Sequence, residues 1–340
     1  MGKRKAAVGL ALLCSLVLSG PWLACDTDPA EDRWFPPRIE KPAYPYSGGP
    51  RILVDAGHFN THTAEDRYQA LATLARADGY RVQSSSAPFS AEALARADIL
   101  VVANALNERN RVRAPPALTD WALPTPSAFT PDEIEAVRYW VEGGKALLLL
   151  ADHMPFSGAA ADLAAVFGVH FDNSFAIDEE RERSLGDTAE AMAQVAVFDR
   201  SNGGLADHAI SDGRNPAERV NAVATFGGHA FRADGDAMPL LVMGPSIVSL
   251  MPRVAWEFSA DTPRHSAAGW LQAASLRFGE GRVAVFAEVG LFGVQTSQTG
   301  IRVGLNSAAA AENPRFLLNL LHWLSGLLDD EGRSTREREP

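Results

Sequence analysis

Thr130-Pro-Asp-Glu-Ile-Glu-Ala-Val-Arg-Tyr-Trp-Val-Glu-Gly-Gly-Lys-Ala-Leu-Leu-Leu-Leu-Ala-Asp-His153 reads as a complete helix-to-strand unit. Thr130 suits a helix N-cap, Pro131 the first turn, and Glu133 stands three residues after the cap, the capping-box spacing. Gly143-Gly144 closes the helix. Ala146 to Leu150 is the most apolar run of the folded region, with no polar alternation. Such a run fits a strand buried on both faces, as in a parallel sheet covered by helices. It stops at Asp152-His153.

The same rhythm extends upstream. Residues 52–54 predict a strand, 64–77 a helix ending before Asp78-Gly79, and 80–83 a second strand. Residues 90–97 predict a short capped helix and 99–102 a third apolar strand, followed by a long loop at 105–128. Downstream, a helix is expected over 158–166. The middle is less regular, with strand patterns at 192–198, 219–226, 238–243, 252–258 and 268–278. A buried strand at 282–287 and an amphipathic helix at 313–327 complete the pattern. The expected fold is α/β: a mostly parallel, doubly wound sheet with an additional β-rich segment in the middle of the chain.

The first residues read as an export signal. Lys3, Arg4 and Lys5 precede an uncharged apolar run at 6–19. That run is shorter than the roughly 20 residues a membrane span needs. Ala24-Cys25 then resembles a lipobox, although Trp22 and Leu23 depart from its usual form. Residues 1–24 are therefore expected to be a signal peptide, and 25–49 a proline-rich tether beginning at a lipidated Cys25. A folded domain over 50–327 and a disordered charged tail over 328–340 follow. The implied location is the cell envelope, on a membrane through the lipid; without lipidation it is periplasmic or secreted.

Composition narrows the partners. The chain has 42 acidic and 31 basic residues, a formal charge of -11. Loss of Lys3, Arg4 and Lys5 with the signal makes it more acidic still. This argues against a nucleic-acid partner, because phosphate binding needs clustered cations. The two cysteines are Cys14 and Cys25, so the domain holds no catalytic thiol and no disulfide.

Polar residues gather where the apolar strands end. The first is followed by Asp55, His58, Asn60 and His62, the third by Asn104, and the fourth by Asp152 and His153. The last is followed by Glu288, with Gln295 and Asn306 in the loop beyond. Parallel neighbouring strands would bring these ends to one crevice. His58 and His62 share a side of the chain if the segment is either extended or helical.

Three chemistries fit. Asn60, Asn104, Asp152, Gln295 and Asn306 could hold a small ligand, with Phe59, Phe156 and Phe292 as walls. Asp55, His58, His153 and Glu288 could form acid–base pairs for hydrolysis. His58, His62 and His153 with a carboxylate could hold a divalent metal, although no His-Glu-x-x-His is present. His208 lies in a turn-rich stretch, His229 follows Gly227-Gly228 in a loop that could reach the crevice, and His322 reads as a packed helix residue. No Gly-x-Ser-x-Gly elbow occurs.

The segments Val54-Asp-Ala-Gly-His-Phe-Asn-Thr-His62, Ile99-Leu-Val-Val-Ala-Asn-Ala-Leu106 and Glu142-Gly-Gly-Lys-Ala-Leu-Leu-Leu-Leu-Ala-Asp-His-Met-Pro-Phe156 carry a resemblance. So do Val283-Ala-Val-Phe-Ala-Glu-Val-Gly-Leu-Phe292 and Glu312-Asn-Pro-Arg-Phe-Leu-Leu-Asn-Leu-Leu-His-Trp-Leu324. Over residues 50–326 the chain is similar to bacterial proteins and lipoproteins with a class I glutamine amidotransferase-like domain. The resemblance implies a flavodoxin-like sheet. It does not imply amidotransfer: those enzymes use a cysteine nucleophile, and here the fourth strand runs into Asp152-His153-Met154-Pro155.

Overall fold

The computed structural model describes residue 34 and residues 36–112, 121–185, 195–296 and 300–329. The expected signal peptide (1–24), Cys25, the first part of the tether and most of the tail lie outside these described residues. No helix among them is long and apolar enough to cross a membrane.

The first half alternates as expected: β1 (Arg51–Asp55), α1 (Gln69–Ala77), β2 (Arg81–Ser85), α2 (Ala91–Leu94), β3 (Ile99–Ala103), α3 (Pro131–Glu142), β4 (Ala146–Leu150) and α4 (Phe156–Ala165). The middle holds β5 (Val169–Phe171), β6 (Phe175–Asp178), α5 (Glu179–Leu185), β7 (Val195–Asp199), α6 (Ala209–Asp212), β8 (Ala222–Phe226), β9 (Phe231–Ala233), β10 (Met238–Val242), β11 (Ile247–Leu250) and β12 (Arg264–Ser266). The chain closes through β13 (Leu271–Phe278), β14 (Gly281–Phe286), the short hairpin β15 (Val294–Thr296) and β16 (Arg302–Gly304), and α7 (Asn313–Leu324).

The fold is mixed α/β around a largely parallel central sheet with extra antiparallel strands. Its order is β2-β1-β3-β4-β14-β13-β9-β5, with β10 also paired to β13. From β2 to β14 every pairing is parallel. From β13 outward every pairing is antiparallel. A second sheet joins β12, β11 and β6, and β7 pairs with β8.

Alternation along the strands sends side chains to two cores. Ile52, Val54, Val101, Leu148 and Phe286 pack with Leu71 and Leu74 of α1 and Phe316 and Leu320 of α7. Leu100, Val102, Leu147, Leu149 and Val285 pack with Val137 and Val141 of α3 and Leu163 of α4. Each buried Leu or Val is worth about 1.5–3 kcal/mol of transfer free energy, so these stripes tie helices to both faces of the sheet.

Two expectations need correction. The segment 252–258 is not a strand; it is a bend-rich loop between β11 and β12. Trp256 takes a positive φ of 73°, incompatible with a regular strand. Helix α1 begins at Gln69 and not near residue 64, because the Thr63 carbonyl accepts from both Asp66 and Tyr68 and forms a turn first. The capping box at Thr130 and Glu133 is present with both of its reciprocal bonds.

Candidate functional site

The parallel pairing sets the carboxyl ends of β1, β3, β4 and β14 side by side, and their polar residues divide into two groups. The first centres on His58, which is 7% exposed. Its Nδ1 lies 3.0 and 2.9 Å from the two Asp55 carboxylate oxygens. Its Nε2 lies 3.0 Å from Glu133 Oε1. The ring is flanked by Phe89 and Phe129, with centroids at 4.5 and 4.9 Å. Burial works against its charge, but hydrogen bonds and charge from Asp55 and Glu133 prevail and raise its pKa. In Glu133 burial opposes ionisation, and the bonds from Thr130 and His58 overcome it and lower the pKa.

Both nitrogens of His58 are therefore engaged, which leaves neither open to a ligand or substrate. Asn60 is engaged as well. Its Oδ1 accepts from the His58 N–H at 3.0 Å, and its amide donates to Asp55 Oδ2 at 3.0 Å and to Ala103 O at 3.2 Å. Asp55, His58 and Asn60 thus fold the loop after β1, and Glu133 pins that loop to α3. In the sequence Glu133 shows only its capping role, because the partner of its second carboxylate oxygen stands 75 residues away.

His62 parts from His58. Phe59 between them takes φ 47°, so the segment is neither extended nor helical and their expected common side is lost. His62 packs against Tyr68, its Nδ1 lies 3.0 Å from Thr61 Oγ1, and its Nε2 lies 3.3 Å from the Gln295 amide nitrogen. Burial, with nearby Arg67, holds its pKa well below the usual imidazole value. Asn306 donates to Gln295 O at 3.2 Å, so Gln295 and Asn306 belong to this same wall. His58, His62 and His153 do not converge, and no group of three or more His, Cys, Asp or Glu among the described residues is arranged to hold a metal ion.

The second group lies between β4 and β14. Glu288 is 1% exposed. It accepts from the backbone N–H of Gly290 and, at 3.0 Å, of Leu291. Burial, reinforced by the charge of Asp152, raises its pKa to about 8 against the pull of those N–H groups. Gly228 closes the back of this site: a Cβ there would lie 2.2 Å from Ala287 O and 2.9 Å from Glu288 Cβ, and its φ is 97°. Asn104, at φ 47°, accepts from the Asp152 N–H at 2.8 Å, while its carbonyl accepts from Thr61. It therefore ties the loops after β1 and β4 together.

His153 Nε2 lies 3.7 Å from Asp152 Oδ1, and its Nδ1 is 2.9 Å from the Met154 carbonyl. Its ring stacks on Phe175 at 4.6 Å and meets the edge of Trp256 at 4.3 Å. His229, fully buried, joins from the loop after β8: its Nδ1 is 3.0 Å from Ala230 O and its Nε2 has no partner. Burial, with a smaller effect of His153, lowers its pKa to about 3. The glycine pair before His229 was the only sequence signal for this placement. Phe292 is core, packed on Phe286 and Phe316, and not a wall of the crevice.

No family model matches the chain, and no curated protein matches it. Among solved structures it is similar to the mmIFT52 N-terminal domain, with a TM-score of 0.53 and 14% identity over 81% of this chain and 97% of that one. It is also similar to the cytoplasmic protein STM3548 from Salmonella typhimurium (TM-score 0.46, 14% identity, 81% and 99% covered). A ThuA-like protein from Bacteroides uniformis gives a TM-score of 0.42 at 9% identity, with 86% and 95% covered. At these identities the first likeness speaks for the fold alone.

Proposed function

We propose that this chain is an exported, lipid-anchored envelope protein whose domain binds a small polar ligand at the carboxyl edge of the parallel sheet. The ligand class is a small molecule, a glycan or a peptide. The observation that carries the reading is Glu288, a buried carboxyl with a raised pKa, beside the partly exposed Asp152. Polar groups kept dry at the end of a parallel strand are costly unless they serve a purpose. The order β2-β1-β3-β4-β14 is the flavodoxin-like order and supports a doubly wound, class I glutamine amidotransferase-like scaffold. The domain has no cysteine for amidotransfer.

A thermal-shift screen of sugars, peptides and cell-wall fragments tests the reading. A hit should stabilise the wild type and lose most of its effect in Asp152→Asn; uniform failure removes the proposal. For the anchor, Cys25→Ala should move the protein from the membrane fraction to the soluble fraction. Continued membrane association would refute lipidation.

The raised pKa of Glu288 also favours a second reading, acid–base hydrolysis, with Glu288 as proton donor and Asp152 or His153 as its partner. Hydrolysis of a screened ligand that falls as pH rises through about 8, and that Glu288→Gln abolishes, would establish it. A ligand recovered intact would exclude it.

A further inference from the structure

We propose a second binding site, independent of the crevice reading above: a cavity built around Arg181 that takes a carboxylate with an apolar body. The cavity holds about 440 Å³ and lies between β6, β7 and the turn joining β10 to β11. That volume falls in the range of roughly 300–1,000 Å³ typical of small-molecule pockets. Ile177, Val195, Phe198, Met243 and Ile247 give it apolar walls. Asp55, Asn104, Asp152 and Glu288 do not line it. Gly227 does, whereas Gly228 packs on Ala287 and Glu288, so the loop after β8 stands between the two sites. Gln272, another lining residue, is held in place. Its amide donates to Gly227 O at 2.7 Å, and its Oε1 accepts from Thr225 Oγ1 at 2.8 Å.

Two charged residues line the cavity, Arg181 and Asp178. Asp178 is engaged by α5: its Oδ1 accepts from the N–H groups of Glu180 and Arg181 at 3.1 and 3.2 Å. The neighbouring Glu179 pairs with Arg264 at 2.9 Å. Among the described residues Arg181 therefore has no carboxylate in ion-pair contact. Its Nη1 donates to Val195 O, and its buried Nε meets no acceptor. A buried charged donor left unmet is costly, and native structures keep few of them. With Nη1 engaged, the edge formed by Nε and Nη2 is what remains of the guanidinium fork. A carboxylate takes such an edge through two parallel N–H···O bonds and brings the missing negative charge. A neutral amide brings one acceptor and no charge. The apolar walls take the rest of the molecule.

Titration calorimetry of the detergent-solubilised full chain with hydrocinnamate and with hydrocinnamamide, each blanked against detergent alone, tests the proposal. The two compounds differ only in the group offered to Arg181, and the carboxylate should bind tighter by about tenfold or more. Arg181→Met should bring the carboxylate down to the affinity of the amide, while the amide keeps its own and so reports an intact cavity. Asp152→Asn, in the separate crevice, should leave the carboxylate within about twofold of its wild-type affinity. Equal affinity of the wild type for acid and amide would overturn the proposal, and that comparison needs no variant. Unchanged carboxylate affinity in Arg181→Met would overturn it as well. Loss of carboxylate binding in Asp152→Asn would seat the anion in the crevice and overturn it too. Failure of both compounds to bind would remove the second site and leave the crevice reading to its own screen.

Discussion

His58 Nε2 and Glu133 Oε1 lie 3.0 Å apart although 75 positions separate them in the chain. With Asp55 on the opposite ring nitrogen, the imidazole bridges two carboxylates. That bridge joins the loop after β1 to the first turn of α3, and it makes a largely buried charge part of the fold.

Glu133→Ala should therefore cost more than a lost helix cap. Loss of the capping box is worth about 1 kcal/mol. Stripping one partner from a buried ion pair adds further destabilisation, giving about 2–4 kcal/mol in all. Urea unfolding followed by circular dichroism measures it. A loss no larger than about 1 kcal/mol, that of the cap alone, would mean that the His58 contact adds nothing to stability.

The bridge also predicts a pH window. The pKa of His58 is raised in the fold, so its stabilisation is complete below the unfolded value near 6.5 and fades as pH climbs through the folded value. The pKa of Glu133 is lowered, so its share is present above its ordinary 4.5 and fades in acid. The bridge should be strongest between about pH 5 and 6.5. In His58→Gln the part of the thermal midpoint that declines from about pH 6.5 upward should disappear. A parallel decline in wild type and variant would contradict the assignment.

Glu288 acts in the same direction at a different place. Its folded pKa of about 8 lies above the ordinary 4.5, so the native state holds a proton that the unfolded chain releases. Stability should fall with rising pH between those two values, with a slope of at most about 1.4 kcal/mol per pH unit. Glu288→Gln keeps the shape and removes the titration, so its unfolding free energy should be flatter over this interval. Denaturant titrations at three pH values decide it, and identical slopes would refute the buried protonated acid.

Gly228→Ala should destabilise by about 2–4 kcal/mol, because the backbone requires positive φ and the new methyl would meet Ala287 O at 2.2 Å. A thermal midpoint within a degree or two of wild type would show that the loop after β8 can shift away from Glu288.

Much of the fold was legible because its determinants are local. The capping box at Thr130–Glu133 and the unbroken apolar run of β4 are written in neighbouring residues, and both are present. The short strands β5, β6, β9, β15 and β16 gave no signal, since three or four residues are too few to show a period. The expected strand over 252–258 misled for the converse reason: its apolar residues serve a loop, where Ala255 packs with Met154 and Phe175.

The sequence by itself determined that polar residues follow the apolar strands at Asp55, Asn104, Asp152 and Glu288, and that no thiol chemistry operates in the domain. Tertiary structure alone decided their roles. The parallel order of β1, β3, β4 and β14 brought the strand ends together. One positive φ at Phe59 separated His58 from His62. The packing of α3 against the sheet gave His58 a second carboxylate and turned the most conspicuous histidine into a bridge. The loop after β8 set Gly228 against Ala287 and Glu288 and brought His229 within electrostatic reach of His153. Strand and helix signals depend on spacing within a few residues, whereas charge pairing and burial depend on contacts between residues far apart in the chain.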